Sequence, residues 1–135
     1  VDIQDTSEVV RFALWLYQQE VGSIQSLCSQ LKCPKEYQQL AELSASWYLS
    51  AKNLLSQSAD SVLGFIIATD ALRRQRRFGQ LLEVFDCLGI NTYPIEKLVD
   101  ALKQIDVSKL NKAQIVSELA SERLTVTQRF LDSTK

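Results

Sequence analysis

The sequence predicts an all-α protein, folded as a compact helical bundle with a short helical tail. Glycine occurs four times and proline twice in 135 residues, and these are the residues that most often interrupt helices. Apolar residues recur at the i, i+3, i+4, i+7 spacing of a helix face along almost the whole chain, with little of the alternation that marks strands. With 46% hydrophobic residues, the chain can bury one modest core.

Three helices are predicted in the first part of the chain. Asp5 and Glu8 have the spacing of a capping box, which would open a helix through "EVVRFALWLYQ". That stretch is apolar nearly all round and suits the centre of a bundle. A second helix is expected over about residues 23–31, and Pro34 suits the first position of a third. The third helix has the most continuous apolar face, formed by Tyr37, Leu40, Ala41, Ser44, Trp47, Tyr48, Ala51, Leu54 and Leu55.

The two tryptophans, Trp15 and Trp47, both fall on apolar helix faces in this pattern. An indole in such a place is expected to be a core residue rather than a platform on which nucleotide bases stack.

Two further helices are predicted before residue 90. Ser58 is a candidate N-cap for "ADSVLGFIIATDAL". The next helix is expected from about residue 75 to residue 88, and Gly89 suits the position just beyond its end. Its inward side would be formed by Phe78, Leu81, Leu82 and Phe85.

The segment "INTYP" is the nearest feature to a domain boundary. It would divide a helical body, residues 1–90, from a helical tail, residues 91–135. Pro94 would open an amphipathic helix in the tail, and a last helix is expected over about residues 112–131.

Several kinds of site are excluded by what the chain lacks. It contains no histidine, the commonest metal ligand and general base, so histidine-dependent catalysis is excluded. It has no glycine-rich phosphate loop, paired carboxylates or nucleophile elbow, so no catalytic residue and no metal site is predicted. Cys28, Cys33 and Cys87 lack the spacing of zinc or redox sites and are expected to be the reduced thiols of a cytoplasmic protein. The longest apolar run, "VLGFIIA", is far shorter than the roughly 20 residues that span a bilayer, so no membrane partner is expected.

Positive charge is concentrated in "DALRRQRRFGQLL", where Arg73, Arg74, Arg76 and Arg77 stand close together in a chain whose net charge is −1. We call these four residues the arginine cluster. In a continuous helix Arg74 would point to the side on which Phe78 is buried, and a break beside it would place the cluster at a corner. Such a corner suits phosphate, since each guanidinium can donate two hydrogen bonds to one phosphate. A solvated helix junction explains the charge equally well, and the pattern alone leaves both interpretations open.

The same stretch resembles a motif of bacterial CCA-adding tRNA nucleotidyltransferases, in the subgroup that carries an HD phosphohydrolase domain. That motif reads Asp-Ala-x-Arg-(Arg/Lys)-Pro-x-Arg-(Phe/Val)-x-Gln-Leu, and this chain departs from it at Gln75, where the family usually has proline. Three more stretches are similar to elements of the family: "VRFALWLYQQ", "LCSQLKCPKEYQQLAEL" and "LNKAQIVSELASERL". The resemblance covers nearly the whole chain and implies a helical body derived from an HD-type domain, followed by a helical tail.

The metal ligands that the resemblance implies are not kept in this chain. The HD dyad of the family falls on Tyr17 and Gln18, and a further histidine position falls on Tyr48. Tyrosine and glutamine do not supply the imidazole and carboxylate that hold a divalent metal. Asp70 would be the surviving fourth ligand position. The resemblance therefore implies a scaffold without phosphohydrolase activity, and metal-dependent release of phosphate from an ester would overturn that expectation.

For function, the resemblance implies a C-terminal region that binds tRNA and is not catalytic by itself. The family's N-terminal polymerase head uses Mg²⁺ with ATP and CTP, and no cofactor is expected in this chain. The partner would be the acceptor/TΨC arm of tRNA, recognised through shape and backbone, with the arginine cluster as the main phosphate-binding group. Lys109 and Lys112, near the start of the last helix, are secondary candidates. The alternative is a degenerate HD-type scaffold for protein interaction or oligomerisation, for example as a homodimer.

Overall fold

A computed structural model describes residues 7–105 and 115–133. These two ranges contain seven α-helices and no strand, which confirms the predicted fold class. The helices are α1 (Glu8–Leu16), α2 (Val21–Leu31), α3 (Lys35–Lys52), α4 (Ala59–Ala68), α5 (Gln75–Cys87), α6 (Tyr93–Lys103) and α7 (Ile115–Ser133). One turn of 3₁₀ helix, Leu54–Ser56, follows α3. None of these helices is both long enough and apolar enough to cross a membrane.

Contacts divide the described chain into two compact units that interleave along the sequence. The first unit contains the residues up to Asn53 and Arg74–Thr92, and so holds α1, α2, α3 and α5. The second contains Leu54–Arg73 and the residues from Tyr93 onward, and so holds α4, α6 and α7. The chain passes from the first unit to the second for the last time between Thr92 and Tyr93, close to the boundary expected at residue 90. The division into a body and a tail stays a prediction.

Helix α3 is the centre of the first unit, where it packs against α1, α2 and α5. Its predicted apolar face is the reason, since Leu40, Ala41 and Ala51 are all buried. Ser44 lies in the middle of that face, and its hydroxyl donates a hydrogen bond of 2.8 Å to the carbonyl oxygen of Leu40. Burial of the polar side chain therefore leaves its donor satisfied. Helix α5 contributes Leu81 and other buried side chains, each of which stabilises the unit by roughly 1.5–3 kcal/mol.

Helix α7 is the centre of the second unit, where it packs against α4 and α6. The hydroxyl of Thr127, buried on α7, donates a hydrogen bond of 2.7 Å to the carbonyl oxygen of Arg123 one turn earlier. The apolar core comes mainly from α4 and α6, with Val62, Leu63, Phe65, Ile66, Ile95, Leu98, Val99 and Leu102.

The ends of the helices follow local sequence signals, with two shifts from the predicted positions. The cap of α1 is Ser7, whose hydroxyl accepts a hydrogen bond of 3.4 Å from the N–H of Val10. The predicted cap, Asp5, lies outside the described residues. Pro34 is the N-cap of α3 rather than its first residue. Ser58 caps α4 as predicted, accepting a hydrogen bond of 3.3 Å from the N–H of Ser61.

The interpretation of Trp15 as a core residue is wrong, because 81% of its surface is exposed. Val10 and Ala13 of helix α1 are buried in the first unit. Trp15 lies two residues beyond Ala13 and therefore on the opposite side of the helix. An almost wholly apolar sequence does not reveal which side of a helix faces the core. Trp47 is half-buried.

Candidate functional site

The arginine cluster lies where the chain passes from α4 to α5, and the predicted break in the helix is present. Arg74 is the N-cap of α5, with φ −106° and ψ 66°, and Gln75 is the first helical residue. The chain crosses from the second unit to the first between Arg73 and Arg74.

Asp70 ends helix α4 and so shapes the start of this turn. Its φ of 56° lies in the left-handed region that residues other than glycine seldom adopt. The N–H of Asp70 donates to the carbonyl oxygen of Ile67 at 3.0 Å, and the N–H of Ala71 donates to that of Ile66 at 3.1 Å. This pair of hydrogen bonds is the Schellman motif, which closes a helix C-terminus. It explains why α4 ends at Ala68, before the end of the predicted stretch.

The Asp70 carboxylate also faces the first arginine of the cluster. Its Oδ1 atom lies 3.9 Å from Nε of Arg73, whose side chain is 85% exposed. An ion pair this open to solvent contributes between zero and about 1 kcal/mol. Asp70 is therefore primarily a helix-ending residue.

The other three arginines lie together at the N-terminus of α5, within the first unit. Arg74 and Arg76 are exposed, whereas Arg77 is half-buried and its Nε atom is buried. The first turn of α5 contains no acidic residue, and among the described residues no side chain caps this helix. The positive end of the helix dipole therefore faces the same region as the guanidinium groups. This is an arrangement that attracts phosphate.

The four predicted arginines are thus not equivalent. Arg74, Arg76 and Arg77 belong to one helix end, and Arg73 is joined to them through its peptide bond with Arg74. The secondary candidates, Lys109 and Lys112, lie outside the described residues.

An aromatic pair occupies positions that the family resemblance assigns to metal ligands. The rings of Tyr17 and Tyr48 meet edge to face, with centroids 4.8 Å apart and planes inclined at 71°. The Nζ atom of Lys52 lies 5.7 Å from the centroid of the Tyr48 ring. Gln18 is exposed, and Asp70 belongs to the second unit. Packed phenol rings beside an ammonium group do not fit a divalent cation, and residues 7–105 and 115–133 contain no group of three or more metal-ligating side chains that could hold one.

A cleft of about 400 Å³ opens in the second unit between the start of α4 and α7. Asp60 and Arg129 are both in its lining. Asp60 lies in the first turn of α4, where its carboxylate offsets the positive end of the helix dipole that would otherwise attract an anion. The cleft therefore lacks the uniform positive charge of the α5 N-terminus.

Sequence reasoning missed one pair of side chains. Cys28 and Cys33 pack in the same buried cluster of the first unit. A helix that ends with a left-handed residue brings side chains five positions apart into contact. Pro34, just beyond the predicted second helix, indicates a helix end at this place. The spacing of Cys28 and Cys33 differs from CxxC, so the helix end before Pro34 was the signal that could have indicated their contact.

This chain is similar in sequence to CCA-adding enzymes. The CCA-adding enzyme of Coxiella burnetii is 32% identical over 122 residues, which cover 87% of this chain and 32% of that protein. The multifunctional CCA protein of Haemophilus influenzae is 27% identical over 122 residues, covering 77% of this chain and 29% of that protein. The corresponding protein of Dechloromonas aromatica is 26% identical over 132 residues, covering 86% and 32%.

The chain spans about a third of the length of the curated relatives that it matches. No family model and no solved structure matches it. Over most of its own length, this chain matches one part of the CCA-adding enzymes, as the resemblance of its motifs indicated.

Proposed function

We propose that this chain is the tRNA-holding part of a CCA-adding enzyme, and that the arginine cluster contacts phosphates of the acceptor/TΨC arm. The observation that carries the proposal is the N-terminus of α5, where three arginines lie at the positive end of the helix dipole and the first turn contains no acidic residue.

The placement of these arginines is unfavourable for the helix itself. A cation in the first turn opposes the helix dipole and costs about 0.3–1 kcal/mol. In α3 the exposed Lys35 also lies in the first turn, where Glu36 offsets that cost, and the first turn of α5 contains no acidic residue. A bound phosphate would place negative charge at the positive end of this helix, which supports a ligand site at the start of α5.

The chemistry of the cluster favours the RNA backbone over the bases. The aromatic residue beside it in sequence, Phe78, is only 4% exposed and packs in the core of the first unit. The cluster therefore offers guanidinium groups and N–H donors, which bind phosphate oxygens, and no ring of its own on which a base could stack. Backbone and shape are the features by which proteins recognise double-helical RNA arms.

The chain is proposed to be non-catalytic by itself. The positions that the resemblance assigns to HD ligands hold Tyr17, Gln18 and Tyr48, whose side chains do not supply metal ligands of the required kind. CCA addition, with Mg²⁺, ATP and CTP, would be performed by the rest of a longer enzyme. A cytoplasmic location is part of the same proposal.

Fluorescence anisotropy with two labelled RNA hairpins of equal length tests the proposal. One reproduces the acceptor/TΨC arm of tRNA and the other reproduces the anticodon arm. We expect tighter binding of the acceptor/TΨC hairpin, with affinity that falls steeply as salt rises from about 50 to 200 mM. Equal binding of both hairpins, or no binding at the lower salt concentration, would contradict it.

A second candidate function is protein interaction or self-association. The exposure of Trp15, at 81%, favours it, because exposed tryptophans are enriched in protein interfaces. Size-exclusion chromatography over a range of protein concentrations, with Trp15→Ala for comparison, tests this function. An elution volume that shifts with concentration for the native chain alone would support a homodimer, and an unchanged volume would count against it.

A further inference from the structure

The C-terminus of α2 brings two cysteines together through its backbone. The helix ends at Leu31, and Lys32 adopts the left-handed conformation with φ 53° and ψ 46°. The N–H of Cys33 then donates a hydrogen bond of 3.0 Å to the carbonyl oxygen of Cys28. This bond across five residues is the Schellman arrangement, which also places the two side chains against each other.

The two thiols share one buried environment. Cys28 is 2% exposed and packs with Ile24 and Ala41, and Cys33 is half-buried against the same cluster. The side chain of Cys33 packs against the cluster that contains Cys28, and neither thiol is in a disulfide. Two cysteines that share one buried cluster and are held by one short backbone loop are well placed to form a disulfide.

We infer that Cys28 and Cys33 form a reversible intramolecular disulfide by exchange with a low-molecular-weight disulfide such as oxidised glutathione. In the first step the Cys33 thiolate attacks one sulfur of the external disulfide, whose S–S bond breaks and releases one small thiolate. In the second step Cys28, after losing its proton to solvent, attacks Sγ of Cys33 and releases the other small thiolate. The protein loses two electrons and two protons, and the external disulfide is reduced to two thiols.

Burial assigns the order of these steps. Cys33 is the more exposed of the two residues, so it meets the external disulfide first. Burial, followed by the hydrogen bond with Cys33, raises the pKa of the Cys28 thiol to about 11. Because the thiolate is the nucleophile, closure by Cys28 should accelerate about tenfold for each pH unit between pH 7 and pH 9.

Cys87 provides the matched control. It is a third free thiol, half-buried on α5, and burial raises its pKa too. Cys87→Ser leaves the proposed pair intact, whereas Cys28→Ser and Cys33→Ser each remove one partner. Comparison of the three variants therefore separates closure of this pair from general oxidation of thiols.

The test is treatment of the protein with oxidised glutathione, acid quenching, alkylation and mass spectrometry. We expect the three free thiols to fall to one, with a mass loss of about 2 Da for the closed pair. Trypsin cleaves after Lys32, between the two cysteines, so peptides 12–32 and 33–35 should remain joined until a reductant is added. Cys87→Ser should behave in the same way, and Cys33→Ser should give no linked peptides.

Three results would overturn the inference. They are a glutathione adduct that persists on Cys33 while Cys28 stays a thiol, a linkage that includes Cys87, and disulfides only between chains. Far-ultraviolet circular dichroism of each variant shows whether it is folded. If Cys28→Ser unfolds, Cys28→Ala, which retains a small apolar side chain in the cluster, replaces it in the comparison.

Discussion

Arg76 is the arginine whose removal tests phosphate binding with least disturbance of the fold. It is exposed and lies in the first turn of α5. Arg77 is half-buried with a buried Nε atom, so its replacement would remove packing as well as charge. The substitution Arg76→Gln removes one positive charge and keeps a side chain of similar helix propensity.

The expected effects of Arg76→Gln on binding and on stability have opposite signs. Loss of one phosphate contact should reduce the magnitude of the negative slope of log K against log salt by about 0.9. A charge-assisted hydrogen bond contributes about 1.5–3 kcal/mol when shielded, and solvent exposure reduces this to about 1 kcal/mol, or roughly fivefold in Kd. The free energy of unfolding should stay constant or rise by about 0.3–1 kcal/mol, because a cation is removed from the positive end of a helix.

Lys35→Gln is the matched control for this experiment. Lys35 is also exposed and also lies in the first turn of a helix within the first unit, so the substitution removes the same single positive charge from a comparable place. Anisotropy with the acceptor/TΨC hairpin at several salt concentrations measures Kd and slope, and urea denaturation measures stability. If both variants weaken binding equally, net charge rather than the cluster is responsible. If Arg76→Gln changes neither Kd nor slope, the reasoning about phosphate is refuted.

Three further predictions concern stability. Gly89→Ala should destabilise the protein by about 1 kcal/mol in urea denaturation. Gly89 has a φ of 86° and open space around it, so only the backbone conformation opposes a side chain there. An unchanged free energy of unfolding would contradict this account of the end of α5. A double-mutant cycle with Tyr17→Leu and Tyr48→Leu should give a coupling free energy of about 0.5–1.5 kcal/mol for the edge-to-face pair. If the effects of the two single substitutions on the free energy of unfolding are additive, the contact between the rings does not stabilise the fold. Burial raises the pKa of Cys28 from 9.0 to about 11. Because the folded protein then holds this proton more tightly than the unfolded chain, the free energy of unfolding should decline by up to about 3 kcal/mol as the pH rises from 9 to 11. Urea denaturation at the two ends of that range measures this decline, and Cys28→Ala should show a smaller one; equal declines would refute the assignment to Cys28.

Features that depend on neighbouring residues could be predicted from the sequence. The break beside Arg74, the cap at Ser58 and the left-handed end at Gly89 all appear where expected. Each is decided within a few residues, by the preference of a side chain for a backbone conformation or by a hydrogen bond to a nearby N–H. The early end of α4 is the exception, because a left-handed Asp70 replaces the glycine by which such ends are usually recognised.

The candidate site could be predicted only in part. The sequence placed four arginines together, but it could not distinguish exposed Arg76 from half-buried Arg77, since that depends on how α5 packs on α1 and α3. It also grouped Arg73 with the rest, although the chain passes between units immediately after that residue.

By itself, then, the sequence determined the helical class, most of the helix ends, the position of the arginine cluster and the resemblance to CCA-adding enzymes. The tertiary structure decided that Trp15 faces solvent, that Tyr17 and Tyr48 pack edge to face, and that Cys28 and Cys33 meet in one cluster. The physical reason is the range of the interactions involved. Helix formation and capping act over a few residues, whereas the side of a helix that is buried is chosen by partners distant in the chain.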